Sequence, residues 1–196
     1  MNGAASSPRV FLTFDDGPDP EWTPRILDLL LRADVRASFF VIGVHAQHEP
    51  ALVRRMAAEG HTVGNHTFSH RHPWLLSNQD AAAQVHEGCN AITAVLGQMP
   101  MFYRAPHGRH RQCMIDAAVA CGEIPVPWQL SAVDWGPLGT AARIAARLRR
   151  IRPDDIVLMH DGRNRHNRPD ELLRVLPGFL DELADRGLRP VALDGY

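Results

Sequence analysis

Short runs of apolar, β-branched and aromatic residues alternate along the chain with longer stretches whose apolar positions recur every three or four residues. The first pattern marks buried strands and the second amphipathic helices. Strands are predicted at 9–14, 36–42, 62–64, 101–103, 125–130, 156–159 and 189–193, and helices at 23–33, 50–59, 78–96, 111–121, 140–150 and 169–186. Helix starts carry Thr23 before Pro24, Ser77 or Asn78 before Asp80, and Pro169 before Asp170 and Glu171, the polar caps, early proline and acidic first turn that favour initiation. Gly60, Gly97, Gly122 and Gly187 stand at helix ends, where a left-handed residue is wanted. Seven strands separated by helices imply repeated βα units in the α/β class with a mostly parallel sheet. They suit a closed or nearly closed barrel of minimal size better than an open sheet. No linker rich in Gly, Pro or Ser divides the chain and no segment repeats at a fixed period, so residues 1–196 are read as a single domain.

Composition narrows the class. A chain of 196 residues with 45% hydrophobic and 22% charged positions is long enough to bury a core without disulfides and too apolar for a disordered, collagen-like or coiled-coil protein. The net charge of -1 leaves no electrostatic footprint for nucleic acid or an anionic membrane surface. Every Lys/Arg position is Arg, which removes Schiff-base and P-loop lysine chemistry. Cys89, Cys113 and Cys121 form neither an even set nor a CxxC pair and are expected to be reduced core thiols. Residues 1–9 lack a signal pattern, and no apolar run reaches the roughly 18 residues of a membrane helix. The expectation is a cytoplasmic protein without membrane insertion, or an extracellular one if an export signal has been trimmed.

The polar residues able to do chemistry fall directly after predicted strands. Thr13-Phe14-Asp15-Asp16-Gly17-Pro18 follows the first, Asn65-His66-Thr67-Phe68-Ser69-His70 the third and Arg104-Ala105-Pro106-His107-Gly108 the fourth; Asp134-Trp135 and His160-Asp161-Gly162 follow the next two. In βα barrels that end of the strands is where active sites are built. His66 and His70, spaced i, i+4, would share one side of a helical turn, and with a carboxylate they make an N/N/O set suited to a catalytic divalent metal. Alone, such a pair also reads as an exposed polar turn, and Asp-Asp-Gly-Pro as plain turn chemistry. Their conjunction is what points to a site.

Together these segments resemble the polysaccharide deacetylases of carbohydrate esterase family 4, which share the NodB homology domain. The resemblance runs from Val10 to about Pro190, with its motifs within 10–162. It is carried by Thr-Phe-Asp-Asp-Gly-Pro, Thr23-Pro24, the run from Ala37 to Gly43 and the run from Glu59 to His70. It implies a distorted (β/α)7 barrel and metal-dependent removal of acetyl groups from sugars.

By motif the resemblance makes Asp15 the general base and Asp16, His66 and His70 the metal ligands. Arg104 matches the arginine that pairs with the base; its plain alternative is a surface ion pair. The backbone N–H of His107 would face the oxyanion, at a position where the family usually has an aromatic residue, so His107 itself is a candidate sugar contact. His160 would protonate the leaving amine, held by Asp134, while Trp135 and Leu158 would wall an apolar pocket for the acetyl methyl. His45, His48, His61, His72 and His86 match no motif position, and the basic segment Arg163, Arg165, His166 and Arg168 reads as a solvated loop.

The expected reaction is metal-dependent deacetylation of N-acetylglucosamine units in an oligosaccharide, glycan or glycosylated metabolite. Zinc suits the His/His/Asp set, and cobalt or nickel would also fit. The competing readings are an amidohydrolase of the same fold acting on a non-sugar amide, and a carbohydrate-binding domain without catalysis. Linkage, chain length, N- against O-deacetylation and oligomeric state are not legible in the sequence.

Overall fold

The structure is a computed structural model that describes residues 7–195; residues 1–6 and 196 lie outside it. In chain order it contains β1 (Arg9–Asp15), α1 (Trp22–Arg32), β2 (Ser38–Val41), α2 (Gly43–His48), α3 (Pro50–Ala58), β3 (Thr62–Asn65), α4 (Asn78–Leu96) and β4 (Phe102–Tyr103). There follow α5 (Gln112–Ala120), β5 (Ile124–Pro125), β6 (Leu130–Ser131), α6 (Ala141–Leu148), β7 (Ile156–His160), α7 (Pro169–Asp185) and β8 (Arg189–Val191). The strands pair in parallel in the order β5-β4-β3-β2-β1-β7-β6, and β8 pairs with the first half of β1. No helix among the described residues is long and apolar enough to cross a membrane.

The chain itself forces the sheet to curl. β5 and β6 are the two ends of the sheet path, yet only residues 126–129 separate them. A flat sheet of seven strands would hold its edges about 29 Å apart, whereas five Cα steps reach at most about 18 Å. The edges must approach, and the result is the distorted (β/α)7 barrel, open along one seam.

The single strand expected at 125–130 is therefore two short strands on opposite edges. Pro125 and Pro127 explain the break: neither has an N–H to give a ladder. Among the described residues the sheet accordingly has eight strands rather than seven. α2 was not expected either, because six residues are too few to show a helical period.

Alternation along the central strands divides the barrel into layers. Val10, Leu12 and Phe14 of β1, Phe39 and Val41 of β2, and Val157 and Met159 of β7 pack outward into the main core under the helices. The opposite positions face inward: Phe11, Phe40, Phe102, Val126 and Ile156 form an apolar plug. Above the plug the inward positions turn polar, with Thr13 and Asp15 on β1 and His160 on β7. Local signals agree with the helix expectations: the Ser77 hydroxyl accepts the Asp80 N–H at 3.0 Å, and Gly97 closes α4 in the left-handed conformation at φ 73°.

α4 lies so close to the loop after β3 that one position tolerates no side chain. A Cβ on Gly88 would sit 2.3 Å from Asn65 Oδ1 and 2.8 Å from the Thr67 carbonyl carbon, whereas one on Gly178 of α7 would meet nothing within 4 Å. Alanine is the better helix former by about 1 kcal/mol, so Gly178→Ala should stabilise the protein by roughly 0.5–1 kcal/mol. Gly88→Ala should instead cost about 1–3 kcal/mol through overpacking. Urea unfolding of the two variants checks both signs.

Candidate active site and metal centre

Strand register places the reacting groups. Asp15 at the end of β1 is the direct partner of His160 on β7 and of Phe40 on β2. Successive strand residues ordinarily point to opposite faces, so Asp15 and Asp16 would diverge in a regular strand. Asp16 avoids this by taking a left-handed backbone, φ 74°, which ends the strand and turns its carboxylate back toward the same pocket. The turn needs bare backbone behind it. A Cβ on Gly17 would lie 2.0 Å from Asp161 Oδ2, and one on Gly162 would lie 2.1 Å from the Asp16 carbonyl oxygen.

Asp16, His66 and His70 bring one ligand atom each to within 4.8 Å of one another. Asp16 Oδ1 faces His66 Nε2 at 3.3 Å and His70 Nε2 at 3.0 Å. His66 Nδ1 lies 2.8 Å from the Arg104 carbonyl oxygen. A carbonyl only accepts, so Nδ1 carries a proton, and it is on Nε2 that the ring, when neutral, has its lone pair. Asp16 Oδ1 is buried without a hydrogen-bond partner. Acceptors aimed at one point need a positive charge between them, and the N/N/O donor set fits a divalent cation. Burial alone would raise the Asp16 pKa, but the His66 and His70 imidazoles outweigh it and hold the carboxyl well below its usual range. The two histidines do not share a helical turn as expected. Their segment is irregular, with Thr67 at φ 68° and His70 at φ 53°, and this brings the rings to 4.9 Å.

Arg104 is no surface ion pair: it is fully buried, and its NH1 donates to Asp15 Oδ1 at 2.8 Å and to Thr13 Oγ1 at 2.7 Å. With Oδ1 occupied, Asp15 has Oδ2 left, 3.7 Å from His66 Nε2. On the other side of the pocket, Asp134 accepts both the backbone N–H of His160, at 2.7 Å, and its Nδ1–H, at 2.9 Å. Burial would lower the His160 pKa, yet the Asp134 charge and hydrogen bond, with Asp16 and Asp15 behind them, push it up to about 9.

Asp15, Asp16, His66 and His160 line one cavity of about 290 Å³, together with His70, His107, Trp128, Trp135, Leu158, Asn164, His166 and Asn167, while Arg104 and Asp134 are outside its lining. The expected wall residues Trp135 and Leu158 are both in it, Trp135 edge-on to His160 at 5.5 Å. His107 has a left-handed backbone at φ 56°, and its ring packs against those of His70 at 4.6 Å and His72 at 5.0 Å. Burial, then the neighbouring His70 and His72, press its pKa down to about 4.

Several residues set aside in the sequence belong near the site. His72 stacks on His107, and His45 Nδ1 lies 3.1 Å from the Asp16 carbonyl oxygen. The loop at 163–168 exposes its basic residues as expected, yet its Asn164 and Asn167 reach Asp16. Its position directly after His160-Asp161-Gly162 was the available signal. Asp161 is fully buried, hydrogen-bonded by the Thr23 hydroxyl at 2.5 Å, and burial pushes its pKa up to about 7. His61 packs at the entrance of β2, its Nδ1 accepting the Ala37 N–H at 3.1 Å. All three cysteines are free thiols, although only Cys89 is buried in the core.

Residues 2–123 match the family model described as polysaccharide deacetylase. A chitooligosaccharide deacetylase from Sinorhizobium fredii is 38% identical over 90% of this chain and 80% of its own length. A peptidoglycan-N-acetylglucosamine deacetylase from Bacillus cereus is 32% identical over 98% of this chain and 70% of its own length. Among solved structures, a family 4 carbohydrate esterase from Streptomyces lividans in complex with acetate superposes with a TM-score of 0.85 at 28% identity, covering 95% of this chain and 93% of that one.

The His160–Asp134 pair has a measurable consequence in the metal-free protein. A folded pKa of about 9 against an ordinary 6.5 means that the stabilising charge is fully present below about pH 6.5 and is lost as pH rises through about 9. NMR titration of the ring should show His160 protonated through neutral pH. Asp134→Asn should bring its midpoint below 9 by more than one unit, and an unchanged midpoint would remove Asp134 as the cause.

Proposed function

This chain belongs to the polysaccharide deacetylase family, and on that premise we propose that it hydrolyses acetyl groups from N-acetylated sugars, with N-acetylglucosamine units of an oligo- or polysaccharide as the substrate class. The observation that supports this most directly is the Asp16–His66–His70 set within 4.8 Å, opening into the same cavity as Asp15 and His160. In this reading Asp16, His66 and His70 hold a divalent cation, zinc by the chemistry of the donors. The bound cation would polarise the acetyl carbonyl and lower the pKa of the attacking water.

The remaining work falls to the chain's own side chains. Asp15 accepts the proton of the attacking water through Oδ2, the oxygen that Arg104 leaves unbound. The His107 N–H, at the left-handed turn beside the pocket, donates to the developing oxyanion. His160, kept cationic by Asp134, gives its proton to the departing amine, which is a poor leaving group until protonated. Trp135 and Leu158 enclose the methyl group and keep water off the apolar side of the acetyl. A cavity of about 290 Å³ suits one acetylated sugar ring rather than a long buried chain.

Acetate release from chitooligosaccharides should require metal, vanish in chelator and return with zinc or cobalt. Failure on every acetylated sugar by metal-loaded protein, with hydrolysis of a non-sugar amide, would move the assignment to the amidohydrolase reading. Failure on both, in protein that holds metal, would leave a carbohydrate-binding domain. Asp15→Asn should keep the metal and lose about 10²- to 10⁴-fold in kcat, whereas Asp16→Asn should lose metal first, as elemental analysis would show. His160→Ala should slow amide substrates far more than an aryl acetate, whose leaving group needs no proton. Equal losses on both would remove the acid role.

A further inference from the structure

The loop at 163–168 is sewn to both halves of the site. Asn167 is buried at 6% exposure, and its Nδ2 donates to Asp16 Oδ2 at 2.7 Å and to the Gly162 carbonyl at 3.0 Å. Asn164 Nδ2 donates to the same Asp16 oxygen at 3.0 Å. Asn164 Oδ1 accepts the N–H groups of His166 at 2.7 Å and Asn167 at 2.9 Å, which folds the loop so that both amides point one way. On its other side the loop is stitched to the segment that carries Asp134 and Trp135. Asn167 forms an antiparallel bridge with Trp135, the Gly136 N–H donates to the His166 carbonyl at 2.8 Å, and the Arg168 N–H donates to the Asp134 carbonyl at 2.8 Å.

The consequence is a carboxylate with two unlike oxygens. Oδ1 of Asp16 faces His66 and His70 and has no hydrogen-bond partner, while Oδ2 is filled by two amide donors. A carboxylate without those donors turns about its terminal torsion, which is broad, and offers either oxygen, or both, to a cation. The left-handed backbone of Asp16, φ 74°, sets where the side chain starts but not the rotation of its terminal carboxylate. The loop must therefore supply the restraint.

We propose that Asn164 and Asn167 are positioning residues of the metal centre: by holding Asp16 Oδ2 they fix Oδ1 as the single ligand oxygen and set the affinity for the cation. The proposal rests on the reading of Asp16, His66 and His70 as metal ligands. Groups that orient a metal ligand through hydrogen bonds typically govern about 10- to 100-fold in metal affinity, and two donors on one oxygen belong in that range.

The test measures zinc affinity directly, by competition with a chromogenic chelator, on the wild-type protein and on Asn167→Leu, Asn164→Ala and the double variant. Thermal melting of each metal-free protein is recorded alongside. Each single change should weaken zinc about 10- to 100-fold relative to wild type. A loop that only braces the fold would lower the metal-free melting temperature and leave the zinc dissociation constant unchanged; that result overturns the proposal. Should Asn167→Leu fail to fold, Asn164→Ala decides, since it removes one donor and the turn that aims the second while the buried Asn167 side chain itself is unchanged. A wild-type protein that binds no zinc overturns the metal-centre reading itself, whereas tight wild-type binding matched by the variants overturns only the role of the loop.

Discussion

One buried guanidinium ties the barrel to its site. Arg104 is fully enclosed and bonds at once to β1, through Thr13 and Asp15, and to the seam, through the carbonyls of Val126 at 3.2 Å and Pro127 at 3.4 Å. Its charge lies over the Phe40 ring at 4.0 Å. The seam is where the sheet has no ladder to close it, so the arginine replaces absent strand-to-strand hydrogen bonds with its own donors. A charge so buried needs its partner: stripping one member from such a pair typically costs about 3–5 kcal/mol, because the other is left uncompensated. Asp15 is thus held by a structural necessity, and its second oxygen is left toward the cavity as a result. The backbone of the same arginine fixes the His66 tautomer through its carbonyl. Closure of the barrel, placement of the carboxylate and orientation of the His66 imidazole all pass through one residue.

Most of the architecture was legible because it rests on periodicity. β1 and β7 are buried on both faces and read as continuous apolar runs, as strands covered on both sides do. α4 declared its start at Ser77 and its end at Gly97 through cap chemistry that is local. The expectation failed at 125–130, where the apolar pattern continues but Pro125 and Pro127 interrupt pairing. Hydrophobic pattern reports burial and says nothing of which neighbour a strand finds. That one chain segment leaves one edge of the sheet and rejoins the other is a property of the closed shape, and no window of sequence contains it.

The site was legible in its residue types and not in its supports. Asp15, Asp16, His66, His70, Arg104, Asp134 and His160 stand immediately after strands, where position alone marks them. How they converge depends on backbone that their residue types do not advertise. Asp16, Thr67, His70, His107 and Val133 all adopt positive φ, a conformation rare outside glycine and concentrated at functional sites. His66 and His70 look like a helical pair from their spacing, yet two left-handed residues between and at them do the work instead. Asn164 and Asn167 were hidden for a different reason. They lie among Arg163, Arg165, His166 and Arg168, and a run of charge reads as solvent-facing whatever its two amides touch.

The same side-chain type is given opposite characters within one cavity. His160 and His107 start from the same intrinsic pKa, and the pocket moves them to about 9 and about 4. The difference is in what each ring faces. His160 has a carboxylate on its Nδ1 and two more beyond, so its cation is favoured despite burial. His107 is buried with two imidazoles against its faces, and the charge of Asp16 offsets them only in part. Such divergence of like groups is how one pocket keeps an acid charged beside neutral neighbours at a single pH. Across neutral pH His160 therefore stays cationic while His107 stays neutral. In the proposed reaction His160 therefore carries the proton that the leaving amine would take.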